Sequence, residues 1–273
     1  MKNLFSNPLI VIGFAIIASI MLLALIAPFI APYDPDAFNV NVILHPPSSS
    51  HLMGTDGLGR DVLSRMLYGA RISLMVGFVA VGLATIIGII FGALAGFYRG
   101  WVDTFIMRLV DVMLSIPSFF LILAVIAFLT PSIWNIMIVI GLTSWMGVTR
   151  LVRAEFLSLR NREFILAAQA LGAKDARLIF THLLPNSLTP IIVSSILGIA
   201  SAVLLESGLS FLGLGVQAPQ ASWGNILTDG KEYIQFAWWL SLFPGLAILM
   251  TVLGYNLLGD GLRDAYNPRS NHS

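Results

Sequence analysis

Charged residues are spaced unevenly along the chain, and the apolar runs between them are its dominant pattern. Uncharged runs of 31, 27, 38, 28 and 27 residues separate Lys2 from Asp34, Arg71 from Arg99, Asp111 from Arg150, Arg177 from Glu206 and Glu232 from Asp260. A helix that crosses a hydrocarbon core about 30 Å thick needs ~20 mostly apolar residues. The 38-residue run is too long for one span, and Thr130-Pro131-Ser132 in its middle ends one helix and starts another. The pattern therefore predicts six spans, at about 9–31, 72–98, 104–129, 133–150, 187–206 and 238–259. Ser207 to Thr228 is also uncharged, but Gly208, Gly213, Gly215, Pro219 and Gly224 make it a compact loop rather than a seventh span. The first span is read as retained. Its apolar core exceeds a signal peptide's h-region, and Ala27-Pro28-Phe29 is a poor cleavage site.

Composition supports this reading. Of 273 residues, 57% are hydrophobic and 11% charged, with a mean hydropathy of +0.88. A soluble domain carries roughly 25% charged residues, so the composition excludes a disordered chain and argues against a soluble enzyme. The net charge of +1 gives no basic surplus for nucleic acid. The absence of cysteine removes disulfides, thiolate metal sites and cysteine nucleophiles. The four histidines are too scattered for a metal site. The fold class is an all-α integral membrane protein with six transmembrane helices.

Lysine and arginine placement sets the orientation. Six spans put both termini on one side, which collects Lys2, Arg99, Arg150, Arg153, Arg160, Arg162, Lys174, Arg177, Arg263 and Arg269. The other side holds Arg60, Arg65, Arg71 and Lys231. Both termini are thus expected in the cytoplasm. Residues 1–71 form the first span plus an extracytoplasmic segment. Residues 72–273 form a five-helix core with a cytoplasmic loop at 151–186 and an outer loop at 207–237. Asp61 to Arg71 has a helical apolar face and a favourable Asp61–Arg65 spacing. It is expected to lie as a separate helix along the outer interface, or to serve only as a lead-in to span two.

The cytoplasmic loop is the most informative segment. A short helix is expected from about Asn161, with Glu163 near its start and Gly172 at the C′ position. A second should run from Asp175 to His182 or Leu184, ending before Pro185. Ala167, Ala168 and Ala170 let a partner approach closely; a hairpin that merely joins two spans is the other reading of these residues.

Chemistry is sparse. No Gly-x-x-x-x-Gly-Lys-Ser/Thr loop is present, so the chain is not expected to hydrolyse ATP itself. No paired broken helices suggest a secondary transporter. Arg108 and Asp111 are expected to pair locally at the third span's inner end. Ser194 and Ser195, in mid-span, and Glu206, at the outer end of span five, are candidates for a polar pathway. Packing for the serines and a watery setting for Glu206 are the alternatives. Pro117, Pro190 and Pro244 should kink their spans.

Leu166-Ala167-Ala168-Gln169-Ala170-Leu171-Gly172, followed at the right distance by His182-Leu183-Leu184-Pro185, resembles the cytoplasmic EAA signature of ABC-importer permeases. Leu166 stands where the signature has Glu, and His182 where it has Ile. Arg162-Glu163-Phe164 resembles the variant of the dipeptide/oligopeptide/nickel permease family. So do the segments Gly54 to Arg65, Leu209 to Gly215 with Trp223-Gly224, and Asn256 to Asp264. The resemblance implies a type I importer transmembrane domain in the bacterial inner membrane. Its partners would be a second homologous permease completing a heterodimer, two cytoplasmic ATPases that bind ATP and magnesium, and an extracytoplasmic substrate-binding protein. It casts Glu163, Phe164, Ala167, Ala168, Leu171 and Gly172 as the helix that docks on an ATPase. Di- or oligopeptides are the expected cargo; nickel or another small solute is the alternative, and an ion-driven secondary transporter the rival class.

Overall fold

The computed structural model describes residues 7–266. Lys2 and Arg269, both used in the orientation argument, lie outside them. Among the described residues the regular structure is helical. The long elements are α1 (Pro8–Ile30), α2 (Val62–Tyr98), α3 (Gly100–Ser115), α4 (Ser118–Ile126), α5 (Ile133–Leu142) and α6 (Trp145–Arg160). Then come α7 (Glu163–Ala170), α8 (Asp175–Arg177), a π-helical turn at Leu178–Leu183, α9 (Leu184–Phe211), α10 (Trp223–Lys231) and α11 (Trp239–Tyr266). Five helical stretches are long and apolar enough to cross a bilayer, and the α3–α4 pair, bent by 82°, passes the same length and composition test when its two helices are taken together. The break falls at Pro117, whose ring excludes the preceding turn's geometry.

Two sequence expectations are corrected. Of the two readings of Asp61 to Arg71, the interfacial helix is overturned and the lead-in to span two is what the structure has: α2 runs unbroken for 37 residues. No proline interrupts Val62 to Tyr98, and Asp61 caps the whole helix by accepting from the Ser64 amide at 2.8 Å. The second loop helix does not stop before Pro185. It continues through α8 and the π turn into α9, with Pro185 in α9's first turn. Proline lacks an N–H and crowds the carbonyl four residues back, and a wider π turn just before it relieves that clash.

α2 is the central post, packed against α1, α5, α6 and α9. Its seam with α6 is built on Gly88, Gly92 and Gly96. A Cβ at these positions would stand 2.5, 2.6 and 2.7 Å from the Cβ atoms of Val148, Val152 and Phe156. Small residues every fourth position let two backbones close up where lipid offers no hydrophobic drive. α1 and α11 approach each other in the same way at Gly13, where a Cβ would meet the Leu258 amide nitrogen at 2.6 Å.

The expected Arg108–Asp111 pair is replaced by ties between helices. Asp111 pairs with Arg150 at 2.6 Å, and Asp103 takes Arg153 through both carboxylate oxygens. Asp103 and Asp111 share the α3 face that meets α6, while Arg108 points away and is exposed. At the far end of the bundle, residues 31–61 form a strap. There Asp56 accepts from Arg60 at 2.7 Å and from Arg65 at 2.6 Å, and Asp229 of α10 takes the same two guanidinium groups at 3.2 and 2.9 Å. Arg65 is thus committed to Asp56 and Asp229 rather than to Asp61, which bonds His51 at 2.9 Å. The Trp239 indole donates to the Thr55 carbonyl at 3.0 Å and the Trp223 indole to Met66 at 3.1 Å, fastening strap and α10 to the spans.

Candidate functional site

Helix α7 projects from one end of the bundle on a single anchor. Ile165 is fully buried and joins a cluster of Ala93 and Phe97 from α2, Val148, Val152 and Phe156 from α6, Leu178 and Leu183 from the π turn, and Ile191 from α9. Glu163 occupies the first turn, where an acid complements the helix dipole. At the other end, Gly172 adopts φ +79°. Its amide donates to the Gln169 carbonyl at 2.9 Å and the Ala173 amide to Ala168 at 3.0 Å, a Schellman closure that needs the left-handed residue at C′. The outer face stays bare. Phe164 is 45% exposed and Leu171 89%, with Glu163, Ala167 and Gly172 also exposed, while Ala168 is half-buried against the bundle. Phe164 and Leu171 thus leave apolar surface on α7 that nothing in the described bundle covers.

A cleft opens between α2, α5, α6 and α9. Its mid-bundle part, about 230 Å³, is lined by Thr85, Ser144, Ser194, Ser195, Gly198 and Ser201, among others. A wider part of about 790 Å³ continues toward the α7 end between α6, α9 and α11. Gly147 and Ser194 belong to both, so the two parts are one passage. On α9 the lining follows helical periodicity through Pro190, Ser194, Gly198, Ser201 and Leu205, which share one face. The two serines singled out in the sequence differ in state. The Ser195 hydroxyl donates to the Ile191 carbonyl at 2.9 Å and sits 2.9 Å from the Thr85 hydroxyl, tying α9 to α2. Ser194 faces the open passage.

Glu206 does not line this cleft. It is fully buried, and its Oε1 accepts from Ser210 at 2.8 Å and Ser222 at 2.9 Å. It fastens α9 to the start of α10 rather than meeting water. Sequence reasoning missed Thr85, Ser144, Gly198 and Ser201 as lining residues. The four-residue spacing of small and hydroxyl side chains on α9 was the available signal. It also passed over Gly88, Gly92 and Gly96, a repeated Gly-x-x-x-Gly motif readable without the structure.

A polytopic helical bundle with a hydroxyl-lined passage and a projecting helix is the membrane-embedded subunit of a transport system. A family model described as binding-protein-dependent transport system inner membrane component matches residues 88–272, and one described as the N-terminal TM domain of oligopeptide transport permease C matches residues 1–47. A dipeptide transport system permease protein, DppC, of Alkalihalophilus pseudofirmus is 47% identical across 98% of this chain and 88% of its own. An oligopeptide transport system permease protein, OppC, of Bacillus subtilis is 40% identical across 97% and 87%. Among solved structures, a chain from inward-facing conformations of the MetNI methionine ABC transporter superposes with a TM-score of 0.61, covering 73% of this chain and 95% of that one. At 18% identity that likeness shows the fold alone. The chain belongs to the family of binding-protein-dependent transport system inner membrane components, the permease subunits of ABC importers.

Proposed function

We propose that this chain is one transmembrane half of an ATP-driven, binding-protein-dependent importer of di- or oligopeptides in a bacterial inner membrane. The observation that carries the reading is α7: a rigid helix whose apolar and acidic outer face is bare, and whose one buried side chain is keyed into α2, α6 and α9. Two ATPase subunits, which hold ATP and magnesium, would grip Glu163, Phe164, Ala167, Ala168, Leu171 and Gly172. Closure of the ATPase pair then pushes α7, and the packed cluster carries the push into the helices that line the cleft. A second, homologous permease closes the open side of α9 as a heterodimer. The pair alternates between outward- and inward-facing states, biased by nucleotide and by the loaded binding protein. The termini and α7 sit in the cytoplasm, since arginine and lysine concentrate at that end. The strap and α10 face the binding protein. Ser194, Ser195 and Glu206 divide their labour: Ser194 in the passage, Ser195 and Glu206 as ties that shape it. Peptide cargo is supported by what the relatives reported above are named for.

The test is Ala167→Arg in the assembled importer. Ala167 is exposed, so the chain should fold and assemble, yet the bulky cation should block docking. We expect peptide import and the binding protein's stimulation of ATP hydrolysis to fall to background. Import at the wild-type rate would remove α7 from the coupling path. The cysteine-free sequence also permits a labelling map. Ala167→Cys should react with impermeant maleimide only from the cytoplasmic side, and Leu52→Cys only from outside.

A further inference from the structure

The wide part of the cleft is lined by two charged side chains of opposite sign. Glu155 on α6 and Arg263 on α11 both line it, with α9 packed against both helices as its floor. Neither has an ion-pair or hydrogen-bond partner among the described residues, although Arg150 and Arg153, on the same helix as Glu155, are each matched to an aspartate of α3. Glu155 is half-buried and unpaired, and a carboxylate in that state gives up part of its solvation, while Arg263 is exposed, with its guanidinium open to a ligand in the cleft. The rest of the lining is of a third kind. Thr189 and Ser194 offer hydroxyls, and Leu151, Val193, Leu197 and Tyr266 offer apolar and aromatic surface. The volume of about 790 Å³ falls in the ~300–1,000 Å³ range of small-ligand sites.

A free short peptide presents this set of groups in complement: an ammonium at one end, a carboxylate at the other, an amide between and side chains of varied bulk. We infer that the α7-end of the cleft is a transient cargo subsite, in which Glu155 receives the peptide's ammonium and Arg263 its carboxylate. The inference rests on the peptide-importer reading and adds residues to it. Guanidinium pairs with carboxylate in a planar, often bidentate geometry. The threonine and serine hydroxyls serve the amide, and the apolar wall takes side chains without selecting among them. Continuity with the hydroxyl-lined part through Gly147 and Ser194 places the subsite on the passage itself. A zwitterionic lipid headgroup shares the ammonium-and-anion chemistry, and the experiment separates the two.

The assembled permease pair with its ATPases is placed in nanodiscs of phosphatidylglycerol alone, without binding protein. Equilibrium binding of tritiated alanyl-phenylalanine is compared with its N-acetyl and C-amide derivatives. The wild type should bind the free dipeptide at least tenfold more tightly than either derivative, about 1.4 kcal/mol per charge contact. Glu155→Gln should weaken the free dipeptide tenfold and leave the N-acetyl form unchanged. Arg263→Gln should do the same for the free and C-amide forms. Equal binding of free and blocked peptides by the wild type overturns the subsite, as does a loss in the variants that ignores blocking. Abolition of peptide binding in phosphatidylethanolamine nanodiscs overturns it in favour of a lipid. A wild-type complex that imports dipeptide in proteoliposomes while Glu155→Gln and Arg263→Gln bind and import equally well sinks only this inference. A wild type that imports no peptide at all sinks the reading beneath it.

Discussion

Replacing Gly88 by Ala adds one methyl group at the tightest point of the α2–α6 seam. That Cβ would stand 2.5 Å from Val148 Cβ, 2.7 Å from its Cγ1 and 3.1 Å from the Trp145 carbonyl oxygen. Ordinary carbon contacts lie at about 3.5–4.0 Å, so the helices must part by roughly 1 Å. Val148 cannot swing aside, because it is buried and a β-branched side chain in a helix has one strongly preferred rotamer. Overpacking of this kind costs ~1–3 kcal/mol. Helix propensity works the other way: alanine is favoured over glycine by about 1 kcal/mol in a helix interior. The single variant therefore hides part of the effect, and a double-mutant cycle with Val148→Gly exposes it. Removing the Val148 side chain takes away the 2.5 and 2.7 Å contacts, and of these three close contacts the 3.1 Å one to the Trp145 carbonyl oxygen remains. The double variant should be less destabilised than the sum of the two singles by at least 1 kcal/mol, measured by SDS-driven unfolding in bicelles followed by tryptophan fluorescence. Additivity within about 0.5 kcal/mol would show that the seam is not closed on Gly88, and the close-approach account of α2 and α6 would fail.

Three further outcomes are expected. Asp56→Asn should destabilise the strap end by ~3–5 kcal/mol, because buried Arg60 and Arg65 each lose an ionic partner, read as a lowered thermal midpoint in detergent. Glu206→Gln keeps an acceptor for the Ser210 and Ser222 hydroxyls and should cost little. Glu206→Ala strands both hydroxyls, costs ~1–3 kcal/mol and should loosen α10, read as faster hydrogen exchange over Trp223–Lys231. Leu171→Asp should leave the thermal midpoint unchanged, since the side chain is almost free of the bundle, but should abolish ATPase-driven import.

The spans were legible because bilayer thickness sets a length rule that a single sequence obeys or breaks. The projecting helix was legible because Glu163 and Gly172 carry end signals that depend on local backbone chemistry alone. The strap's ion network was not, since Asp229 lies more than 160 residues from Arg65, and nothing local distinguishes Asp56 from Asp61 as its partner. The same holds for Asp111, whose arginine at i−3 looked adequate until α6 brought Arg150 to it. The end of the second loop helix was missed for another reason. Pro185 is a helix breaker by rule, and the rule yields when a π turn precedes it. The cleft straddles both cases: its serines were visible, but the charges at its α7 end come from α6 and α11, far apart in sequence.

What the packing adds to the motif is a reason why α7 can act at a distance. Its flanks are short: Arg160 ends α6, Glu163 begins α7, and Gly172 closes α7 three residues before α8. A helix on two tight corners, with Ile165 buried among Phe156, Leu178 and Leu183, cannot tilt while its neighbours stay still. Interiors at crystal-like packing density pass displacement on rather than absorb it. Val148, in the same cluster, is both the partner of Gly88 and part of the cleft wall, and Ile191 lies one turn below Ser194. Under the proposed coupling role, a push on α7 has two contiguous routes to the passage, α6 to α2 and the π turn to α9. If only the first carried it, the Gly88→Ala seam variant would uncouple import as fully as Ala167→Arg. With both in place the seam variant should import at a reduced rate, and ATP hydrolysis should still respond to the loaded binding protein.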